Sequence, residues 1–226
     1  MDLRAAELAR ARLYFVCDAA RPARELEALL EGALSGGADL IQLRDKGAED
    51  ERLLEAAPIF RSAANRHGAL FLINDRPDLV AACGADGVHV GQDDVQVADA
   101  RRVGGTGTIV GLSSHSPAQL DAAESARGDA RPDYLSVGPV WTTPTKPGRQ
   151  AAGLDYVRYA ASTATLPWFA IGGIDVGNVG AVAGAGAKRV VVVRAIADAA
   201  DPGSAAADLR SRLEPLAVGA SRVTTR

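Results

Sequence analysis

The chain has 226 residues and a formal net charge of -3, with 25 basic against 28 acidic side chains. That length supports one large domain with a substantial core, and 47% hydrophobic with 23% charged residues excludes wholesale disorder. The balance of charge excludes the broad basic footprint of a non-specific nucleic-acid binder, while leaving room for local cationic pockets. Only three basic residues are lysines, Lys46, Lys146 and Lys188. A codon bias toward Arg, Ala and Gly accounts for that, yet a retained lysine can also mark a need for a compact point charge. Cys17 and Cys83 sit in separate apolar contexts, which predicts reduced, buried thiols. No apolar run approaches the roughly 20 residues of a membrane span, and the N-terminal stretch carries no apolar signal core. A cytoplasmic protein is expected, with no membrane or nucleic-acid partner; a homo-oligomer is compatible with the sequence.

In chain order, residues 1–12 read as an amphipathic helix that could cover one end of a barrel. Short, mostly apolar runs then predict strands at Leu13–Cys17, Asp39–Leu43, Leu70–Ile73, Gly87–Val90, Thr108–Leu112, Tyr134–Val137, Trp168–Ile171 and Arg189–Val193. Helical spacing lies between them, as at Arg24–Leu34, Asp50–Arg66, Ser116–Arg127 and Ala205–Leu213. Ser116-Pro117, Arg76-Pro77-Asp78 and Asp175 look like helix starts. Eight strands alternating with helices predict an α/β protein, a single (β/α)8 TIM barrel over residues 1–216. An open doubly wound sheet is the alternative, because alternation alone does not show closure. Residues 217–226 lack periodicity and are expected to form a mobile tail.

In either architecture ligands bind beyond the C-terminal ends of the strands, and polar residues gather there. Gln42, Arg44 and Lys46 alternate, so an extended chain turns all three to the face that Leu40 shares. Two cations and an amide on an interior face suit a polyanion; a surface Arg44–Asp45 pair is the bland reading. Asn74-Asp75 and Asp93-Asp94 follow two neighbouring strands, where such residues commonly cap helices. Taken together, and close to a basic cluster, they suit Mg²⁺ shared with substrate phosphates. Thr143, Thr145 and Lys146 offer donors from a proline-restricted loop that is equally compatible with plain solvation. Gly172-Gly173 and Val193-Arg194 follow the seventh and eighth strands, where barrels often hold phosphate. His67 reads as a surface residue in a polar turn; for His89 and His115 packing or substrate orientation outweighs catalysis. No nucleophilic triad and no zinc motif is present.

The ordered series QLRDK (42–46), INDR (73–76), GVHVGQDD (87–94), GLSSH (111–115), GPVWTTPTKPG (138–148) and IGGI (171–174) resembles the thiamine-phosphate synthase family, over about residues 13–215. The resemblance implies an enzyme that joins a hydroxymethylpyrimidine diphosphate to a thiazole phosphate, or its carboxylated precursor, releasing pyrophosphate. It implies that Gln42, Arg44, Lys46, Asn74, Ser113 and Lys146 hold the pyrimidine diphosphate, with Arg44, Lys46 and Lys146 stabilising the leaving group. Thr143, Thr145, Gly173, Val193 and Arg194 would hold the thiazole phosphate. Asp75 and Asp94 match the ligands of one Mg²⁺ bound with the diphosphate, while Asp93 stands where the family often has Glu. Arg194 departs from the small Ser of many members. In the family the diphosphate is thought to leave first, so no strong base is implied. Two rivals share the barrel: a thiazole tautomerase, which needs no diphosphate site, and a non-catalytic barrel that binds phosphorylated metabolites.

Overall fold

The computed structural model describes residues 3–142 and 150–213. Eight parallel strands close into a barrel in sequence order, so the closed architecture holds and the open sheet does not. The strands are β1 (Leu13–Cys17), β2 (Leu40–Leu43), β3 (Leu70–Asn74), β4 (Gly87–Val90), β5 (Ile109–Ser114), β6 (Tyr134–Val137), β7 (Trp168–Ile171) and β8 (Val190–Val192). Among the described residues ten α-helices accompany them: α1 (Leu3–Arg10), α2 (Ala23–Ser35), α3 (Asp50–His67), α4 (Val80–Cys83), α5 (Val97–Gly104), α6 (Pro117–Ser125), α7 (Gly153–Thr163), α8 (Val179–Gly184), α9 (Arg194–Ala197) and α10 (Pro202–Ser211). The expected tail, 217–226, lies outside the described residues. Among the described residues no helix is long and apolar enough to cross a membrane. Both cysteines are buried thiols.

Strand alternation divides the core in two. Tyr14, Val16, Leu40, Leu70, Leu72, Ile109, Tyr134, Phe169 and Val191 fill the barrel interior with Leu8 and Ala11 beneath them. Their alternate neighbours along each strand, such as Phe15, Ile41, Phe71 and Val192, face the helices. Helix α1 therefore covers the N-terminal end of the barrel as expected, and Arg189 holds it there by donating to the carbonyls of Ala9 and Ala11. Tyr14, Tyr134 and Phe169 meet edge to face, with ring centroids 5.6–6.0 Å apart.

Strand β2 starts one residue later than the sequence predicts. Asp39, predicted inside β2, lies before it and uses its side chain as a clip. Its N–H donates to Leu13 O at 2.8 Å, and its Oδ2 accepts the Leu13 N–H at 3.0 Å. The residues before β4 and β6 repeat the arrangement. Asp86 exchanges bonds of 2.7 and 2.9 Å with Phe71, and Asp133 bonds of 2.8 and 2.7 Å with Val110. In each case an arginine, Arg210, Arg61 or Arg101, neutralises the same oxygen. Before β8 the corresponding residue is Arg189. At the other end β3 extends through Asn74 and β5 through Ser114, so Asn74 and Ser113 are strand residues rather than loop residues.

Candidate active site

A cavity of about 330 Å³ opens at the C-terminal ends of the strands. Gln42 from β2, Asn74 from β3 and Ser113 from β5 line it, with Arg44 just beyond β2. Gly173, Val193 and Arg194 line the opposite side. Seven of the residues expected from sequence therefore share one space. Gln42 and Ser113 are nearly buried, at 3% and 2% exposure, as inward strand positions should be. Arg44 faces the cavity rather than pairing with Asp45. Thr143, Thr145 and Lys146 lie outside the described residues, although the loop that carries them leaves the barrel from the cavity wall at Gly138 and Pro139.

Lys46 departs from expectation. Strand β2 ends at Leu43, so the alternation that carries Gln42 inward does not extend to Lys46. Its ammonium lies 2.6 Å from Asp75 Oδ2 and it does not line the cavity. In this structure the Lys46 ammonium is paired with a carboxylate.

The capping readings of the acidic pairs fail. Helix α5 is preceded by Gln96, and the one-turn 3-10 helix Pro77–Leu79 by Arg76, neither through a side-chain cap. Asp75 instead takes a left-handed conformation, φ 59°, which a non-glycine residue adopts only when its surroundings impose it. Its N–H is tied to His89 O at 2.9 Å, and the Asp94 carboxylate accepts the Gly91 N–H at 2.9 Å. Burial pushes the Asp75 carboxyl above its usual range; Lys46 opposes this and neighbouring Asp94 adds to it. The two carboxylates are therefore close enough to repel, and the Lys46 ammonium is the cation beside them. Among the described residues no group of three or more His, Cys, Asp or Glu side chains could hold a metal.

The wall beyond β7 and β8 presents backbone to the cavity. Gly172 and Gly173 have φ of 107° and 66°. Gly172 also packs so closely on Pro139 that an added Cβ would sit 2.5 Å from the proline's Cβ. The predicted helix start at Asp175 is displaced: Asp175 closes a turn by accepting from Gly177 and Asn178, and α8 begins at Val179. Val193 precedes α9, whose first N–H groups, those of Arg194 and Ala195, lack intrahelical acceptors. Arg194 is exposed at the cavity edge.

The sequence reading passed over Tyr14, Tyr134 and Ser136, which look like core residues in apolar runs. Strand parity was the available signal, since all three share the inward face with Gln42 or Ser113. His89 lies among them, with Nδ1 2.9 Å from Tyr134 Oη and Nε2 3.0 Å from Ser113 Oγ. His115 holds its Nδ1 2.6 Å from Gly138 O at the cavity edge. His67, expected in a turn, is instead the last residue of α3, where it meets Glu31 at 2.7 Å.

A closed parallel barrel with cationic and glycine-lined walls around one cavity defines an α/β-barrel protein built to handle phosphorylated small molecules. The model of the thiamine monophosphate synthase family matches residues 13–196, and the chain belongs to that family. It is 52% identical over 209 residues to the thiamine-phosphate synthase of Acidothermus cellulolyticus, covering 92% of this chain and 97% of that one. Against the thiamine-phosphate synthase of Mycobacterium tuberculosis the identity is 51% over 219 residues, covering 91% and 96%. The solved thiamine phosphate pyrophosphorylase of Pyrococcus furiosus superposes with a TM-score of 0.78 at 29% identity, covering 91% of this chain and 96% of that one.

Proposed function

We propose that the protein is a thiamine-phosphate synthase, a transferase that condenses the pyrimidine diphosphate with the thiazole phosphate and releases pyrophosphate. The observation that carries this reading is a single cavity with two differently built anion-handling walls. The Arg44 side, with Asn74 and Ser113, suits a diphosphate; the Gly172-Gly173 and Val193–Ala195 side suits a monophosphate held by backbone N–H groups. The thiazole tautomerase needs only the second wall, and a passive binder needs no metal pair beside the first.

In the reaction the C–O bond to the diphosphate breaks with its electron pair leaving on oxygen. The thiazole nitrogen lone pair then forms the new C–N bond, so no proton need move at the reacting centre. Arg44 would stabilise the charge that develops on the leaving group, with Lys146 brought in by its loop. Lys46, which neutralises Asp75 here, would exchange that carboxylate for the diphosphate when a cation takes its place. Asp75 and Asp94 would hold one Mg²⁺, whose contribution is to screen the leaving diphosphate. The two walls fix the separation of donor and acceptor, which is the entropic part of catalysis. We place the protein in the cytoplasm, acting on small phosphorylated molecules and without nucleic-acid or membrane partners; a homo-oligomer fits this reading.

The test is to incubate the purified protein with both substrates and Mg²⁺ and to follow pyrophosphate. Release that requires the thiazole phosphate supports the synthase. Thiazole isomerisation without pyrophosphate identifies the tautomerase, and no turnover at all points to the passive binder.

A further inference from the structure

The cavity floor holds a line of buried polar side chains, of which the mechanism above uses only Ser113. Gln42 Nε2 lies 2.7 Å from Tyr14 Oη, which lies 3.1 Å from Tyr134 Oη. Tyr134 Oη meets His89 Nδ1 at 2.9 Å, and His89 Nε2 meets Ser113 Oγ at 3.0 Å and Ser136 Oγ at 3.3 Å. Every member is nearly inaccessible, from Tyr134 at 0% to His89 at 8% exposure. Only a fully satisfied chain is tolerable at such depth.

Counting hydrogens gives the chain a direction. The Gln42 amide nitrogen can only donate, so Tyr14 Oη accepts from it. A phenol has one proton, and Tyr14 turns it toward Tyr134. Tyr134, accepting there, sends its own proton to His89 Nδ1. A neutral imidazole has one N–H, so that of His89 is on Nε2, pointing at the serines. Burial raises both phenols far above neutrality, so each keeps the proton that this count requires. Ser136 Oγ also donates to Ser113 Oγ, at 3.5 Å. The Ser113 hydroxyl, accepting from both, has its proton left for the cavity. Gln42 keeps its amide oxygen for the same space.

We propose that Tyr14, Tyr134 and His89 form a proton-ordered positioning chain that makes Ser113 a donor and Gln42 an acceptor toward the substrate. It selects an uncharged ring that carries an acceptor beside an N–H donor, the pattern of an amino-substituted nitrogen heterocycle. Assignment of that ring to the pyrimidine substrate rests on the synthase reading; the direction of the chain does not. Reversing the Gln42 amide would reverse every step, place the His89 proton on Nδ1 and exchange donor for acceptor at the floor.

The experiment is ¹⁵N NMR of the histidine rings in the substrate-free His67→Gln protein, where two histidines remain. His115 faces a carbonyl through Nδ1, which can only accept, so its Nδ1 carries a proton. The proposal expects His89 to be the Nε2–H tautomer, assigned as the resonance that moves in Tyr134→Phe. A His89 proton on Nδ1, or on both nitrogens, overturns it. Tyr134→Phe keeps the ring that packs over Gly111 while removing the link. It should raise KM for the pyrimidine substrate about tenfold, leaving kcat and the KM for the thiazole phosphate within about twofold. An unchanged pyrimidine KM, or a loss confined to kcat, overturns the positioning role; Tyr14→Phe, which cuts the next link, must behave alike. If the His67→Gln protein released no pyrophosphate, the synthase reading would fall while the tautomer result stood.

Discussion

Gly172 joins the two halves of the cavity, and its replacement by alanine tests how tightly they are coupled. The residue follows β7 with φ 107°, and an added Cβ would lie 2.5 Å from Pro139 Cβ, 2.6 Å from its Cα and 2.9 Å from Val140 N. Backing away is resisted, because Ile171 O and Gly172 O accept the N–H groups of Val140 and Trp141 at 2.8 and 3.1 Å. Positive φ costs a non-glycine residue about 1–2 kcal/mol, and overpacking about 1–3 kcal/mol more. For a domain of this size each kcal/mol lowers Tm by roughly 2–4 °C, so Gly172→Ala should melt roughly 5–20 °C lower. Turnover should also fall about 10²-fold at temperatures where the variant is folded, because Pro139, Val140 and the glycine wall would shift together. Gly180→Ala supplies the contrast: it lies in α8 with nothing within 4 Å of the new Cβ and should gain about 0.5–1 kcal/mol. Calorimetric melts and pyrophosphate release measured on both variants decide the matter. A Gly172→Ala protein that melts within about 2 °C of the parent and turns over normally would show that the close contact does not constrain the site.

Arg44→Ala should lose about 10²–10³ in rate with Tm nearly unchanged, since Arg44 faces the cavity rather than the core; normal turnover would remove it from the leaving-group site. Asp94→Asn retains an oxygen for the Gly91 N–H, so the loop should persist while the Mg²⁺ needed for half-maximal activity rises at least about tenfold. An unchanged Mg²⁺ titration would exclude Asp94 as a ligand. Glu124 ties α6 to the turn before β7 by accepting from the N–H groups of Thr165 and Leu166, each at 2.8 Å. Burial alone would raise its carboxyl, but these bonds and Arg131 hold it below the usual range. Its stabilisation is therefore present above the ordinary glutamate range and is lost as pH falls through the lowered value. Glu124→Gln should melt below the parent near pH 7, and the gap should shrink as pH falls through the lowered glutamate range; a gap that stays the same in acid would contradict that linkage.

Parity made much of this legible. The alternation that puts Leu40 inside also puts Gln42 inside, and strand ends locate Arg44, Asn74, Ser113, Gly173 and Arg194 around the cavity. Alternation fails where a strand ends, which is why Lys46 was misplaced: three residues past β2, its ammonium follows the nearest carboxylate rather than the pleat. Asp39 was drawn into β2 because a buried clip resembles a strand residue in composition. The Asp175 turn resembles a helix start because Asx turns and caps use the same side-chain bond. Tyr14 and Tyr134 were read as core because a buried phenol and a buried phenylalanine are alike in one sequence, and only packing shows where the hydroxyl goes.

The aspartates before β2, β4 and β6 make the barrel a fourfold design with three clasps. Each clasp fixes the start of a strand pair, so those βαβα quarters hold their register from below whatever loop they carry above. The fourth quarter has Arg189 in that position and reaches for the carbonyls of α1 instead. The seam between the last strand and the first is thus fastened by the opening segment of the chain. Helix α1 precedes β1 in the chain, so this fastener must wait for β8 before it can be used.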